Sequence, residues 1–347
     1  AVWVLGHLGL WALAGLVYTV KALASLPYAH IAAGRLPAGW VVAWYAGLLL
    51  AALPAARRMP ATFCAWLGHR VRTWQTAAAA AGLLTLLAVG ALLVWRPALA
   101  GPPDALELTV LDVGQGDAIL VRAPGGSAAL IDAGPAYPLS SGSGWFDAGE
   151  QVVVPYLKRT GVGRLDVLVL THPDVDHVGG AGAVLRSLPV GQVLVSTTAA
   201  PEAHHAAALA AAAERGVPVR VPREGEILRL GEAVAIQVLG PPASPIAGSR
   251  SDDNANCVAL RVVYRQAAFL LGCDLEAVAE ERLVDRGYAL RADVLKVSHH
   301  GSRFSTTERF LGAVRPRYAV ISAGSGNPFG HPHADLIARL RRAGAEV

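Results

Sequence analysis

The first 100 residues contain no aspartate or glutamate, so all 26 acidic residues of the chain follow residue 100. The remainder has 23 basic against 26 acidic residues, a formal balance of −3, because seven of the 30 basic residues lie in the first part. This balance excludes a C-terminal part that binds nucleic acid through overall positive charge. Cysteine is also scarce: Cys64, Cys257 and Cys273 show no paired spacing. Neither a disulfide framework nor a cysteine zinc site is therefore indicated.

Three long apolar runs occupy about residues 1–20, 38–56 and 77–95. Each is near the ~20 residues that a membrane-spanning helix needs. We predict that residues 1–100 form a membrane segment with these three spans; the alternatives are a first run lying in the interface, or buried helices of a soluble core. The loop between the second and third runs carries four arginines, which favours the cytoplasmic side. Everything after the third run is then expected outside the cytoplasm.

Gly101-Pro102-Pro103 marks a boundary, after which short apolar runs alternate with turn residues. Because the chain does not begin with Met, we interpret it as a piece of a larger protein, with residues 101–347 forming a second domain. Strands in antiparallel-looking pairs, followed by strands alternating with helices, predict two mixed sheets covered by helices. The predicted strands are Glu107–Val113, Ala118–Ala123, Ala128–Asp132, Asp166–Thr171, Gln192–Ser196, Ala233–Leu239, Cys257–Tyr264, Ala267–Gly272, Val294–Ser298 and Tyr318–Ser322. The predicted helices are Val152–Arg159, Ala181–Leu188, His204–Arg215, Leu275–Arg286, Ser305–Val314 and His333–Ala343.

One predicted strand, ending at Leu170, runs into a turn that holds two histidines and two aspartates within six residues. These residues are His172, Asp174, Asp176 and His177. Imidazole together with carboxylate suits Zn, Mn or Fe better than Ca. Four ligands are too many for one ion that keeps an open position, so we predict two ions roughly 3.5–4 Å apart. We assign the first pair of ligands to one ion and the second pair to the other, with Asp274 as a candidate bridge.

Other predicted strands also end in polar residues, at Asp112, Asp132, Asp274 and the pair His299-His300. Polar groups gathered at the ends of buried strands are how a layered fold builds a site on a rigid scaffold. A single aspartate of this kind is explained by turn chemistry. Five such ends predict one common site.

The turn His172-Pro173-Asp174-Val175-Asp176-His177 resembles the HxHxDH signature of the metallo-β-lactamase fold, with Asp174 where many members carry a second histidine. The stretches 111–118 (LDVGQGDA), 295–302 (LKVSHHGS) and 327–333 (NPFGHPH) resemble motifs of the ComEC/Rec2 family, the membrane channel of bacterial natural transformation. Residues 1–100 are similar to the end of its channel domain. Residues 101–347 are similar to its C-terminal domain.

The resemblance implies an α/β fold, a metallo-β-lactamase-like αββα sandwich preceded by transmembrane helices. It implies a multi-pass protein of the bacterial inner membrane whose C-terminal domain is extracytoplasmic. The activity implied is metal-dependent degradation of the non-transported DNA strand, with single-stranded DNA and other components of the uptake machinery as partners. The implied metal ligands are His172, Asp174, Asp176, His177, Asp274, His299 and His331.

Further roles follow from the same resemblance. Asp176, Asp274 and His300 are candidate catalytic residues, His300 as a proton donor or phosphate contact. Residues expected behind the ligands or against substrate are Asp112, Asp117, Asp132, Lys296, His300, Ser302 and His333. A carboxylate at position 174 makes the site harder, which favours Mn²⁺ over Zn²⁺. The third ligand of the first ion stays open, with His299 or His300 as candidates, while His204 and His205 are expected at the surface.

Two other functions compete with a nuclease. A small-molecule metallohydrolase of lactones or esters would use the same ion pair, so fold analogy alone does not exclude it. A catalytically silent DNA-docking module of the channel would keep the fold without activity. Metal occupancy separates the last possibility from the first two.

Overall fold

The computed structural model describes residues 81, 82, 85, 86, 89, 102–139, 144–197 and 202–347. The chain divides into two compact units, Ala1–Ala100 and Gly101–Val347. The predicted membrane spans lie outside the described residues, apart from five helical positions in the third. None of the helices in the described ranges combines the length and the apolarity that crossing a membrane requires.

Two six-stranded sheets form the second unit. The first has the strand order β1-β2-β3-β6-β7-β8 and the second the order β14-β13-β12-β11-β10-β9. The strands are β1 Glu107–Val110, β2 Ile119–Arg122, β3 Ala128–Ile131, β4 Ala136–Pro138, β5 Trp145–Asp147, β6 Leu165–Leu170, β7 Val190–Val195, β8 Val219–Arg220, β9 Ile227–Leu230, β10 Val234–Val238, β11 Leu260–Tyr264, β12 Ala267–Leu271, β13 Val294–Lys296 and β14 Tyr318–Val320. The helices are α1 Val154–Arg159, α2 Val175–Val178, α3 Ala181–Ser187, α4 Ala203–Glu214, α5 Asp252–Ala255, α6 Ala277–Asp285, α7 Glu308–Val314 and α8 Ala334–Arg342.

Alternation along buried strands explains the four layers. In β6, Val167 and Val169 pack into a central cluster between the sheets, while Leu168 and Leu170 pack outward against helices. A strand covered on both faces reads as a continuous apolar run, which is why residues 167–170 lack polar alternation. A third cluster lies between the second sheet and its helices. The predicted αββα sandwich is thus confirmed.

Parallel pairing brings the functional turns to one edge. Strands β3 and β6 are parallel in the first sheet, and β12, β13 and β14 are parallel neighbours in the second. The carboxyl ends of parallel neighbours meet at the same edge, so the residues that follow β3, β6, β12, β13 and β14 gather there.

One expectation about this unit was wrong: a disulfide is present although the cysteine spacing indicated none. Cys257 and Cys273 form a disulfide. The reason is the β11–β12 hairpin, whose register pairs Leu260 with Leu271 and so carries the two cysteines to facing positions just beyond the strand ends.

Candidate metal centre

The turn after β6 is held by close backbone approaches. A Cβ on Gly180 would lie 2.3 Å from the carbonyl oxygen of Ala133, and one on Gly179 would lie 2.2 Å from the nitrogen of Ala136. Real Cβ atoms do not tolerate these distances, so the two glycines let α2 and its ligands pack directly against the turn after β3. The residues His177 and Ala133 are also joined by a backbone hydrogen bond of 2.8 Å.

Asp132 organises both histidines of this turn. Its Oδ2 accepts from His177 Nδ1 at 2.7 Å and from Thr171 Oγ1 at 2.8 Å, and its Oδ1 accepts from the backbone nitrogen of Thr171. Thr171 Oγ1 also lies 3.0 Å from His172 Nδ1. Because the hydroxyl gives its one proton to the carboxylate, it accepts from His172 Nδ1–H. Both imidazoles therefore turn an Nε2 lone pair toward the site.

The second sheet supplies the facing groups. Asp274 follows β12 and is buried, and His300, after β13, is also buried. His300 Nδ1 donates to the carbonyl oxygen of Ser322 at 3.0 Å, which fixes its Nε2 as the free nitrogen. That Nε2 lies 3.3 Å from an oxygen of Asp176 and 3.4 Å from one of Asp274.

Asp274 lies at the centre of the cluster. Its oxygens lie 3.4 Å from His177 Nε2, 4.0 Å from His172 Nε2 and 3.8 Å from His299 Nε2. Asp174 is half-buried, with an oxygen 3.5 Å from His172 Nε2. His331 lies further out, its ring centroid 5.6 Å from that of His299.

This donor set fits a metal. His172 Nε2 is buried and has no hydrogen-bond partner. His177 Nε2 and His300 Nε2 lie 3.3 Å apart, both with their protons held on the other nitrogen. Lone pairs that face one another among carboxylates require a cation, either a proton or a metal ion. Imidazole nitrogens and carboxylate oxygens are suitable ligands for divalent transition metals, and groups such as His172, His177 and Asp274 bring ligand atoms within 4.8 Å of one another.

The pKa shifts within the cluster also indicate a site for a cation. Burial alone would lower the pKa of His300, but the charge of Asp274 and hydrogen bonds to Asp176 and Asp274 raise it to about 10. Burial alone would raise the pKa of Asp274, but His300 and His177 hold it well below its usual range. The cluster therefore stabilises positive charge at its centre. His331 differs, because burial and the neighbouring imidazoles lower its pKa to about 4.

Backbone strain accompanies the ligands. His299, His300 and Asp132 have φ of 50°, 52° and 59°, in the left-handed region, and Cys273 beside Asp274 has φ of 40°. Non-glycine residues adopt this region at a cost of about 1–2 kcal/mol each, and such residues cluster at functional sites. Gly301 then allows the chain to turn away with φ of 89°.

The remaining predicted residues lie behind or beside the cluster. Lys296 is 1% exposed and its Nζ donates to Asp117 Oδ2 at 2.7 Å, so a direct contact with phosphate is excluded for it. Asp112 lies in the exposed turn, where it accepts from Gly114 N. Ser302 is buried and His333 precedes α8. His205 is buried in α4, so its expected surface position was wrong.

Several site residues were missed from the sequence. Thr171 orients His172, and its position directly before that ligand is the one available signal. Glu276 lies 3.4 Å from His299 Nδ1 and follows Asp274 by two residues. Asn327 holds the His331 loop, donating to the carbonyl oxygen of His331 at 2.6 Å and accepting from its backbone nitrogen. Ser322 orients His300 through its backbone carbonyl, which no side-chain pattern reveals.

Fold and site together define a metal-dependent hydrolase of the metallo-β-lactamase class. Residues 111–325 match the family model described as Metallo-beta-lactamase superfamily. The match covers more than half of the chain, and the protein belongs to this superfamily.

Three relatives narrow the assignment. The chain is 35% identical over 248 residues to ComE operon protein 3 of Bacillus subtilis strain 168, covering 70% of this chain and 31% of that protein. It is 33% identical over 306 residues to Competence protein ComA of Neisseria gonorrhoeae, covering 82% and 40%. It is 31% identical over 236 residues to Recombination protein 2 of Haemophilus influenzae, covering 68% and 26%. These homologues confirm the resemblance to the ComEC/Rec2 family, and the chain spans well under half the length of each.

Proposed function

We propose that this chain carries the nuclease of a bacterial DNA-uptake system, a metal-dependent phosphodiesterase that degrades the DNA strand that is not transported. The observation that carries the proposal is the convergence of three oriented imidazole nitrogens on Asp274, with Asp176 beside one of them. The names of the relatives, which include a competence protein, support DNA as the substrate.

Two divalent ions would divide the ligands between them. His172, Asp174 and His299 would hold one, while Asp176, His177 and His300 would hold the other. Asp274 lies close enough to both groups to bridge them. His331 would complete the open side. The buried position of His300, wedged between Asp176 and Asp274, supports a ligand role for it over proton donation.

Mn²⁺ is the favoured metal, with Zn²⁺ as the alternative, because Asp174, Asp176 and Asp274 make the donor set rich in hard oxygen ligands. When bound, such ions lower the pKa of water and neutralise charge on a phosphoryl group. The chain's own residues hold the geometry. Asp132 and Thr171 orient the two histidines of the β6 turn, and the Ser322 carbonyl orients His300.

The cellular setting is part of the same proposal. The three apolar runs of residues 1–100 support an inner-membrane anchor, and the arginine-rich loop supports an extracytoplasmic second domain. The disulfide between Cys257 and Cys273 agrees with an oxidising compartment. The other components of the competence machinery are then partners of the chain.

Hydrolysis by the purified whole chain tests the proposal. With Mn²⁺, single-stranded oligonucleotides should be cleaved, and a panel of lactones and lactams should be turned over far more slowly. The double variant His172→Ala, Asp274→Ala should lose cleavage. Cleavage that survives in the double variant would contradict the assignment, and faster turnover of lactones would favour the small-molecule alternative. A wild-type chain that binds no metal would favour the silent docking module.

A further inference from the structure

A cleft of about 730 Å³ opens beside the metal cluster. It lies between the loop at 248–250, the start of α6 and the loop that joins His300 to α7. Its lining combines one aromatic ring with several charged side chains, which are Phe304, Arg250, Arg303, Arg339, Glu276 and Glu308.

Phe304 is the centre of the cleft. Its side chain is 41% exposed, which is unusual for a large apolar residue. The guanidinium of Arg250 lies 3.8 Å from the ring centroid and that of Arg303 lies 5.5 Å from it. An exposed ring flanked by guanidiniums combines a stacking surface with phosphate-binding charge.

The three arginines of the cleft differ in how strongly they are already bound by other groups of the protein. Arg339 is occupied, because its Nη1 donates to the carbonyl oxygens of Ser305 and Thr306 at 2.9 Å. Arg250 is only weakly paired, its Nε 3.6 Å from Glu276. Arg303 is exposed and makes no ion pair within the described part of the chain. Its charge is therefore available to a ligand.

The acidic residues of the cleft are partly neutralised. Glu308 lies 3.4 Å from Arg342, and Glu276 is shared between Arg250 and His299. Glu276 also joins the cleft to the site, because His299 Nε2 lies 3.8 Å from Asp274. The cleft and the metal cluster therefore adjoin at His299 and Glu276.

We propose that this cleft is the subsite for a neighbouring nucleotide of a single strand, with its base stacked on Phe304 and its phosphate on Arg303. The proposal rests on the proposed function, since it names where the substrate strand lies relative to the metal centre. Arg250 covers part of the ring and shifts aside or stacks on the base. Because stacking on a phenyl ring is sequence-tolerant, the subsite admits every base.

Fluorescence anisotropy of a labelled oligothymidylate of about 12 nucleotides, bound to the whole chain in EDTA, tests the subsite without cleavage. Phe304→Ala should weaken binding roughly 5- to 150-fold, the usual effect of removing one base–aromatic contact. Arg303→Gln should weaken binding and lower the slope of log affinity against log salt by about 0.7. Both side chains are solvent-exposed, so thermal stability should be unchanged.

Arg265→Gln is the matched control. Arg265 is an exposed arginine over Tyr264, 5.1 Å from its ring centroid, in the β11–β12 turn. It should bind like the wild type. Wild-type affinity for Phe304→Ala, an equal loss in Arg265→Gln, or no binding by the wild type would overturn the subsite.

Cleavage assays separate this failure from that of the proposed function. If the wild type cleaves DNA with Mn²⁺ but Phe304→Ala binds and cleaves normally, the subsite is wrong and the nuclease stands. If oligonucleotide binding depends on Phe304 but no metal supports cleavage, the subsite stands and the nuclease is wrong.

Discussion

The two sheets supply the candidate metal centre in different ways. The first sheet delivers His172, Asp174, Asp176 and His177 from a single turn, and its support comes from Asp132 and Thr171 on the adjacent strand ends. The second sheet delivers Asp274, His299, His300 and His331 from three separate loops. One half of the site is therefore a local sequence motif, and the other half is a product of topology.

Their backbones differ as well. In the first half, glycines at 179 and 180 allow close approach. In the second half, His299 and His300 themselves adopt left-handed conformations. In the second half the left-handed strain thus falls on ligands themselves, whereas in the first half it falls on Asp132, which supports the ligands.

Neutralising Asp274, which contacts histidines from both halves of the site, should have the largest effect on cleavage. Asp274→Asn keeps the shape of the side chain and removes its charge from the centre of the cluster. We expect phosphodiester cleavage to fall by roughly 10³-fold or more, because several kcal/mol of charge stabilisation depend on the ions it helps to hold. Single-turnover cleavage rates and bound metal per chain would measure this.

Asp293→Asn is the control for that variant. Asp293 lies at the opposite end of the β12–β13 pair, where its Oδ2 accepts from Ala268 N. It should retain metal and activity. Equal losses in both variants would mean that Asp274 acts through the stability of the sheet.

The next largest effect is expected from breaking the salt bridge that joins the two halves of the site. Lys296, at the end of β13, is paired with Asp117 before β2, and both are buried. Lys296→Met should lower the free energy of unfolding by about 3–5 kcal/mol, because it leaves a buried carboxylate without its partner. Urea denaturation measures the loss.

The double variant Lys296→Met, Asp117→Asn tests the coupling. Removing both charges should recover part of the loss, since no unpaired charge remains. Additive losses would show that the pair does not link the two halves energetically.

A smaller effect is expected for Asp132, which supports the ligands of the first half. Asp132→Asn places an amide where Thr171 N and His177 Nδ1 need an acceptor, so we expect metal affinity to fall about 10- to 100-fold. Isothermal titration with Mn²⁺ gives the affinity. Asp166→Asn is the control, because Asp166 binds Ala128 N at the other end of the same two strands. An unchanged affinity in Asp132→Asn would remove Asp132 from the site.

The smallest expected effect concerns the anchor of the second half. Glu280 in α6 is buried and accepts from the backbone nitrogens of Thr306 and Thr307, in the loop that follows His300. Burial raises its pKa to about 7, against the opposing effect of those amides. The folded state thus keeps a proton on Glu280 above the pH at which the unfolded chain releases it.

Stability from this group is full at low pH and is lost as pH rises through about 7. We expect the free energy of unfolding to fall by about 2–3 kcal/mol between pH 5 and 8 on this account, most of it below pH 7. Glu280→Gln should flatten that part of the profile, measured by urea titration at each pH. An identical slope in the variant would contradict the assignment.

The sequence predicts the fold well where elements are long and apolar. All ten predicted strands exist, and in Ala267–Leu271 and Leu165–Leu170 burial leaves runs of four or more apolar residues. Short strands such as Val219–Arg220 have too few residues to give this signal, and the sequence did not predict them. The disulfide was not predicted because the register of the hairpin brings Cys257 to Cys273, and the spacing of the cysteines does not reveal that register.

The two halves of the site differ in how well the sequence predicts them. The β6 turn is visible because its ligands are adjacent in sequence. The roles of His299 and His300 are not, since only a backbone with φ near 50° decides which ring enters the cluster. Lys296 misleads for a similar reason: its charge suggests phosphate, whereas the fold buries it against Asp117.

The number of divalent ions bound per chain tests the two-sided metal centre most directly. Mass-spectrometric metal analysis of the purified chain, equilibrated with Mn²⁺, should give two ions for the wild type and a clear loss in both His172→Ala and His300→Ala. A wild-type chain without bound metal, or full occupancy in either variant, would contradict a centre built from both sheets.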